Sequence, residues 1–205
     1  MDITTPAPSI SVRERNAEAK NQAILEAALT LFSARGFHGV AVPEVAKLAN
    51  VGAGTIYRYF ENKEALVNGV YQHAKTLLAA YLFDDFDFNQ NPREKFHSFW
   101  SRLRQFAQDK PTHFRFLELQ DHAPYLDVVS RNLEIQSLAP ILTFCTQARA
   151  EKIARDIPPE ALMALIWGAF VGLIKAQDAG YYTLSESTFQ AAESACWDLF
   201  CPPSA

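Results

Sequence analysis

The sequence predicts an all-α protein of about nine helices, three in an N-terminal group and the rest in a larger C-terminal set. Apolar residues recur at helical three- and four-residue spacing. Proline and glycine fall between the segments that show it. No stretch keeps the alternation of a half-buried strand.

Residues 1 to 12, polar and proline-containing, read as a flexible tail. A first helix runs to about Arg35, with Ile24, Ala28, Leu31 and Phe32 on one stripe and Gly36 as its stop. Pro43 suits the first turn of a short second helix carrying Val45, Ala46 and Leu48. Asn50, which accepts a left-handed conformation, ends it. A very short third helix follows Gly54 and stops near Phe60. Asn62 caps a fourth, striped by Leu66, Val70, Leu77 and Tyr81. The stretch DDFDFNQNP (84 to 92) breaks the chain. Beyond it lie stripes at Phe96, Phe99, Trp100, Leu103 and Phe106, and at Phe114, Leu117 and Tyr125. A long segment from about Leu126 to Lys152 contains Pro140, expected to kink it. Pro158-Pro159 opens a helix ended by Gly180, and Thr183 to Glu186 has capping-box spacing before the last helix, to about Phe200.

The 205 residues are long enough to bury a core, and 49% hydrophobic with 20% charged residues excludes a disordered chain. Net charge is −4, so the whole molecule is no polybasic nucleic-acid binder. Through residue 70, however, seven basic residues balance seven acidic ones, leaving twelve against sixteen for the remainder. That asymmetry favours an N-terminal part that tolerates a polyanion. Cys145, Cys196 and Cys201 are odd in number, lack metal-type spacing, and read as neutral thiols in a reducing compartment. The start shows no signal peptide, and no apolar run reaches the roughly 18 residues of a membrane span. The expected location is cytoplasmic.

At 100° per residue, Ile56 and Phe60 form the buried side of the third helix. Arg58 lies nearly opposite, flanked by Thr55 and Tyr57, with Tyr59 near the boundary. This outward face offers a guanidinium, a hydroxyl and a phenol, with no carboxylate. A guanidinium pairs with guanine in the major groove, while hydroxyls suit phosphate oxygens. Gly52-Ala53-Gly54 brings backbone amides close to whatever lies beyond the helix N-terminus, where the dipole favours an anion. Ala53 is small enough to enter a groove, and Lys63 adds a second cation. This is a helix-turn-helix pattern. On pattern alone, an exposed Arg-Tyr face is also what a simply solvated helix presents. A nucleotide loop at Gly52-x-Gly54 is disfavoured, because a helix precedes it and no Gly-Lys-Ser/Thr follows.

The stretch from about Ala19 to Val67 resembles the N-terminal domain of the tetracycline-repressor (TetR/AcrR) family. GTIYRYFENKEAL is similar to that family's recognition helix and the start of its fourth helix; ILEAALTLFSARGF and VPEVAKLANVG match its first and second helices. The resemblance implies a tail at 1–12, a helix-turn-helix DNA-binding domain at 13–62, and a helical effector-binding and dimerisation domain at 63–205. It implies a dimeric transcription regulator, a repressor released from a palindromic operator by a small ligand. Position by position, Ala53 and Gly54 fall at groove-entering sites. Thr55, Tyr57 and Tyr59 fall at phosphate or sugar contacts, Arg58 at a base-facing site, and Lys63 at a phosphate-contacting lysine. The chain departs from the family pattern at Ala41-Val42-Pro43, where hydroxyl donors are common, at Asn50 in the turn, and at Gly52-Ala53. These departures put more weight on Arg58, Lys63 and backbone amides.

The C-terminal part is rich in rings, for which plain core packing is the ordinary explanation. The resemblance implies that some line an effector cavity, with Trp100, Leu103, Phe114, Leu117, Phe144 and Trp167 as candidates and an apolar or aromatic ligand. Glu118 and His122, four apart on one helical face, are candidate polar groups of that pocket. Such a pair is more often a surface or capping feature than a metal site, so neither metal nor cofactor is expected. Gly168 and Gly172, beside Val171, allow close helix approach. With Phe189, Cys196 and Phe200 of the last helix, they are the candidate dimer interface. No hydrolase or metalloprotease motif occurs, and Cys145 has no activating neighbour in sequence, so an enzyme is not expected. The remaining alternative is a ligand-binding helical protein that has lost or altered DNA binding.

Overall fold

A computed structural model describes residues 11–202. Among them are nine α-helices: α1 (Val12–Arg35), α2 (Val42–Leu48), α3 (Ala53–Tyr59), α4 (Lys63–Phe83), α5 (Pro92–Asp109), α6 (Pro111–Leu119), α7 (Val128–Ala150), α8 (Pro159–Asp178) and α9 (Glu186–Phe200). No strand occurs among the described residues. They form two compact units that divide at His73 and Ala74, inside α4.

In the first unit, Ser11 and Glu14 form a reciprocal cap at the start of α1. Ser11 and Val12, expected in the tail, are thus the N-cap and first residue of the helix; the rest of that tail, 1–10, lies outside the described residues. The core begins at Ile24 and continues through Ala28, Leu29 and Phe32, whereas Leu31 is only half-buried. Gly36 ends α1 at φ 67, in the left-handed region that glycine adopts without a Cβ penalty. At the start of α2, the Glu44 carboxylate accepts from the Ala41 amide at 2.9 Å and from Arg35 at 2.9 Å. Val42 is buried, so its apolar character there serves packing.

The turn between α2 and α3 follows from Asn50, at φ 53. Asn50 donates to Lys47 O at 3.3 Å and Val51 to Ala46 O at 3.0 Å, the paired bonds of a Schellman closure. Phe60 terminates α3, its amide donating to Ile56 O at 2.9 Å. Its ring packs so closely on Gly69 that a Cβ there would lie 2.6 Å from Phe60 Cε1. Asn62 caps α4 by accepting from the Ala65 amide at 2.8 Å.

In the second unit, α5 packs on α6 and α9, and α8 on α7 and α9. Rings join them: Phe86 stacks on Phe99, Phe99 meets Phe144, and Phe144 stacks on Phe200 at 5.5 Å. Polar anchors fix the periphery. Arg102 donates to the Asp84 and Asp85 carbonyls beyond α4 at 2.6 and 3.2 Å. Buried Glu193 on α9 accepts from Arg93 and pairs with His97 Nδ1 at 2.7 Å, both on α5.

Several sequence expectations need correction. The cap of α9 is Ser185, which accepts from the Thr188 amide at 3.2 Å; Glu186 instead pairs with Arg104. Tyr125 lies in the turn after α6, not on a helical stripe. Pro140 sits inside α7, which runs from Val128 to Ala150, as the sequence places it. Among the described residues one helix, α8, is long and apolar enough to cross a membrane by length and composition, against the expectation of none. One side of it is packed in the protomer through Leu162, Phe170, Val171 and Ile174.

Candidate nucleic-acid interface and ligand cavity

On α3, Ile56 is 1% exposed and turns inward, while Arg58 stands exposed on the opposite side. Among the described residues Arg58 forms no hydrogen bond or ion pair, so its five donors are open to an outside acceptor. Tyr57 is 54% exposed, and Thr55 is half-buried beneath Gly52, whose carbonyl takes the Thr55 amide at 2.8 Å. A Cβ at Gly54 would meet nothing within 4 Å. No packing within the chain requires glycine there, which fits a position approached from outside.

Two of the expected contact residues are already occupied. The Tyr59 hydroxyl donates to Ala17 O of α1 at 3.0 Å, tying the end of α3 to the first helix. The Lys63 ammonium lies 4.3 Å from the centroid of the Phe37 ring. Such a cation–π contact contributes ~0.5–1 kcal/mol at an exposed site. It fixes the lysine beside α3 without consuming its N–H donors. Arg13 and Lys20, four before and three after Ala17, share its side of α1 and are exposed. Sequence reasoning gave them no role, because only the Tyr59 contact relates that side of α1 to α3.

In the second unit, an apolar cavity of about 50 Å³ is walled by side chains of α4, α5, α7, α8 and α9. Of the expected ligand residues, Trp100, Leu103, Phe144 and Trp167 line it. Phe114 and Leu117 are buried but do not; Phe114 reaches the cavity wall only through Phe170, ring centroids 6.0 Å apart. Glu118 is one step removed, its carboxylate accepting from Trp167 Nε1 at 2.7 Å. Burial raises its pKa, only partly opposed by Lys75. His122 does not line the cavity; its Nε2–H donates to the Phe116 carbonyl and its ring packs on Phe116. Glu118 and His122 thus serve two different partners.

The wall also contains residues the sequence reading left out, notably Ile141 and Cys145 on α7 and Met163, Ile166 and Phe170 on α8. Their three- and four-residue spacing was visible, but helical spacing does not tell a cavity wall from filled core. The cavity carries no charge, and desolvation pushes the Cys145 thiol up to about 12, keeping it neutral. Its volume is well below the ~300–1,000 Å³ of ligand pockets, so a ligand must part the rings to enter.

For the expected dimer interface, Val171, Phe189, Cys196 and Phe200 must be corrected. All four are buried within the protomer, and Phe200 lines the cavity. Gly168 and Gly172 are exposed, with nothing within 4 Å of a Cβ at either. Leu165 is exposed beside them on α8, as are Ala191, Ala195 and Leu199 on α9. The exposed positions of these two helices thus include a small-residue, apolar set alongside charged ones such as Lys175 and Asp198.

The family model described as bacterial regulatory proteins, tetR family, matches residues 24–70, and that described as tetracyclin repressor-like, C-terminal domain, matches residues 71–200. The HTH-type transcriptional regulator RutR of Escherichia coli K12 is 29% identical over 160 residues, covering 77% of this chain and 74% of RutR. A solved TetR-family protein from Vibrio parahaemolyticus is 27% identical with a TM-score of 0.73, covering 89% of this chain and 99% of that one. AibR, solved with isovaleryl coenzyme A and operator DNA, shares the fold at 17% identity and a TM-score of 0.69, covering 90% of this chain and 100% of AibR.

Proposed function

Because the chain belongs to the TetR family of bacterial regulatory proteins, we propose that it works as a dimeric repressor released from a palindromic operator by a small apolar or aromatic ligand. It is a DNA-binding transcriptional regulator. Arg58 carries this reading at the DNA: a guanidinium exposed opposite the buried Ile56 suits bidentate pairing with guanine. Gly54 and Ala53 let the helix approach the major groove, Tyr57 and Thr55 take phosphates, and Lys63 adds charge beside them. Tyr59 is assigned a positioning role through Ala17 and brings Arg13 and Lys20 into the same electrostatic footprint.

Two copies would pair through the small-residue face of α8 and α9, which also accounts for the apolar character of α8. The effector would enter between Trp100, Phe144 and Trp167, so recognition is by shape and apolar contact. In AibR the same fold accompanies both an operator and an acyl thioester of coenzyme A. The protein acts as a regulator and not an enzyme, and its place is the cytoplasm, with DNA and not a membrane as its partner.

The deciding experiment is a salt-dependent gel shift on the DNA upstream of the protein's own gene beside a random duplex, with apolar ligands then added. Tighter binding to the upstream DNA, reversed by an aromatic or aliphatic ligand, is the expected outcome. Equal affinity for both duplexes would remove the operator reading. Specific binding that no apolar ligand reverses would remove the effector reading.

A further inference from the structure

A second recess lies in the C-terminal unit, apart from the apolar cavity and unlike it in chemistry. It has a volume of about 260 Å³ and is bounded by α5, α6, α8 and Leu184 in the turn before α9. Two arginines line it, Arg104 from α5 and Arg115 from α6, with the amides of Gln108 and Gln177 and the carboxylate of Asp178.

Arg104 is the informative residue. Its side chain is only 17% exposed and its guanidinium stacks over the Phe189 ring at 4.1 Å. One N–H reaches Glu186 at 2.6 Å, yet the Nε of the same guanidinium is buried with no acceptor. A buried, charged donor left unmatched is costly, and an acceptor from outside the chain would satisfy it. The present counter-charges are weak competitors. Glu186 is 64% exposed, and Asp178, 3.3 Å from Arg115, is 37% exposed. Ion pairs to such exposed carboxylates are weak and exchange readily. The Gln177 side-chain carbonyl accepts from the Leu184 amide at 3.1 Å, which leaves its NH₂ as a donor to the recess.

We propose that this recess is a binding site for a small organic anion, a carboxylate or phosphate ester carried on a compact apolar body. Arg104 and Arg115 supply charge-assisted donors from two helices, and the glutamine amides complete the shell. Phe114, Ile174 and Leu184 take the apolar body. The assignment is independent of the apolar effector proposed above. It has a consequence for that effector, because Phe114 of the recess meets Phe170 of the cavity wall at 6.0 Å, and Phe170 meets Trp100 at 5.3 Å. An anion seated here presses on the rings that enclose the other cavity.

The test is calorimetric titration of the full chain, without DNA, with benzoate, phenyl phosphate and the neutral isostere benzamide. At least one anion should bind about tenfold or more tightly than benzamide, as a charge-assisted pair predicts. Benzoate preference identifies a carboxylate, phenyl phosphate preference a phosphate ester, and tight binding of both a site for either. Arg115→Gln and Arg104→Gln should each weaken the preferred anion about tenfold and leave benzamide unchanged. Arg104→Gln also loses the Glu186 pair and the Phe189 stack, so Arg115→Gln, on the more exposed residue, keeps the test decisive if the first variant folds poorly. Anions binding no better than benzamide would overturn the proposal, as would undiminished anion binding by the well-folded arginine variants. Neither result touches the apolar effector, which is judged by release from DNA.

Discussion

Arg58 and Lys63 have different surroundings in the first unit, and the difference predicts different behaviour. Arg58 has no partner among the described residues, whereas Lys63 rests on Phe37. Arg58→Ala should cost about 1–3 kcal/mol on the operator and relax one base preference. Equal losses on operator and random DNA, measured by titration, would end its base-reading assignment. Lys63→Ala should weaken all sequences alike and lower the salt slope by about 1. His122 gives a pH prediction. Burial holds its pKa below the ordinary value, so on acidification the unfolded chain takes up that proton first. Its contribution is intact above about pH 6.5 and is lost as the pH falls below that value. Denaturant midpoints should therefore drop more steeply from pH 8 to pH 5 in the wild type than in His122→Gln. Parallel curves would show that His122 does not titrate this way.

At the scale of elements, much was written in local residue chemistry. Gly36, Asn50, Asn62 and Gly180 mark helix boundaries through conformations or caps that neighbouring side chains do not set. The burial of Ile56 and the exposure of Arg58 follow from helical period alone. What could not be read were features that depend on a distant partner. Tyr59 looked like a free phenol until Ala17, 42 residues earlier, was placed under it. His122 looked like a pocket residue because its carbonyl partner at Phe116 leaves no trace in a pattern of side chains. Spacing alone turns Val171, Phe189, Cys196 and Phe200 outward, because it gives a face but not what that face meets. Gly69 is the sharpest such dependence, its Cβ position being blocked by Phe60 and, at 3.3 Å, by Leu25. Gly69→Ala should cost ~1–3 kcal/mol by overpacking and displace the ring that closes α3. Thermal unfolding and operator affinity should fall together; an unchanged melting curve would mean that Phe60 moves freely.

For the whole molecule, the proposed pairing of two copies rests on the outward face of α8 and α9. Leu165, 49% exposed beside Gly168 and Gly172, has ample room for change within one copy. Leu165→Glu should leave protomer stability within ~0.5 kcal/mol and abolish pairing. Sedimentation at micromolar concentration should then show a monomer, and operator affinity should fall with it. A variant that stays dimeric would place the interface elsewhere. The small volume of the ring-lined cavity has a different consequence, for evolution. On the proposed effector route a signal wedges apart the rings that hold the second unit together, so heat tolerance and responsiveness would be inherited through one set of side chains. On that route, lineages that drift toward tighter packing around Phe144 and Phe170 would become deaf to an inducer before losing their grip on DNA.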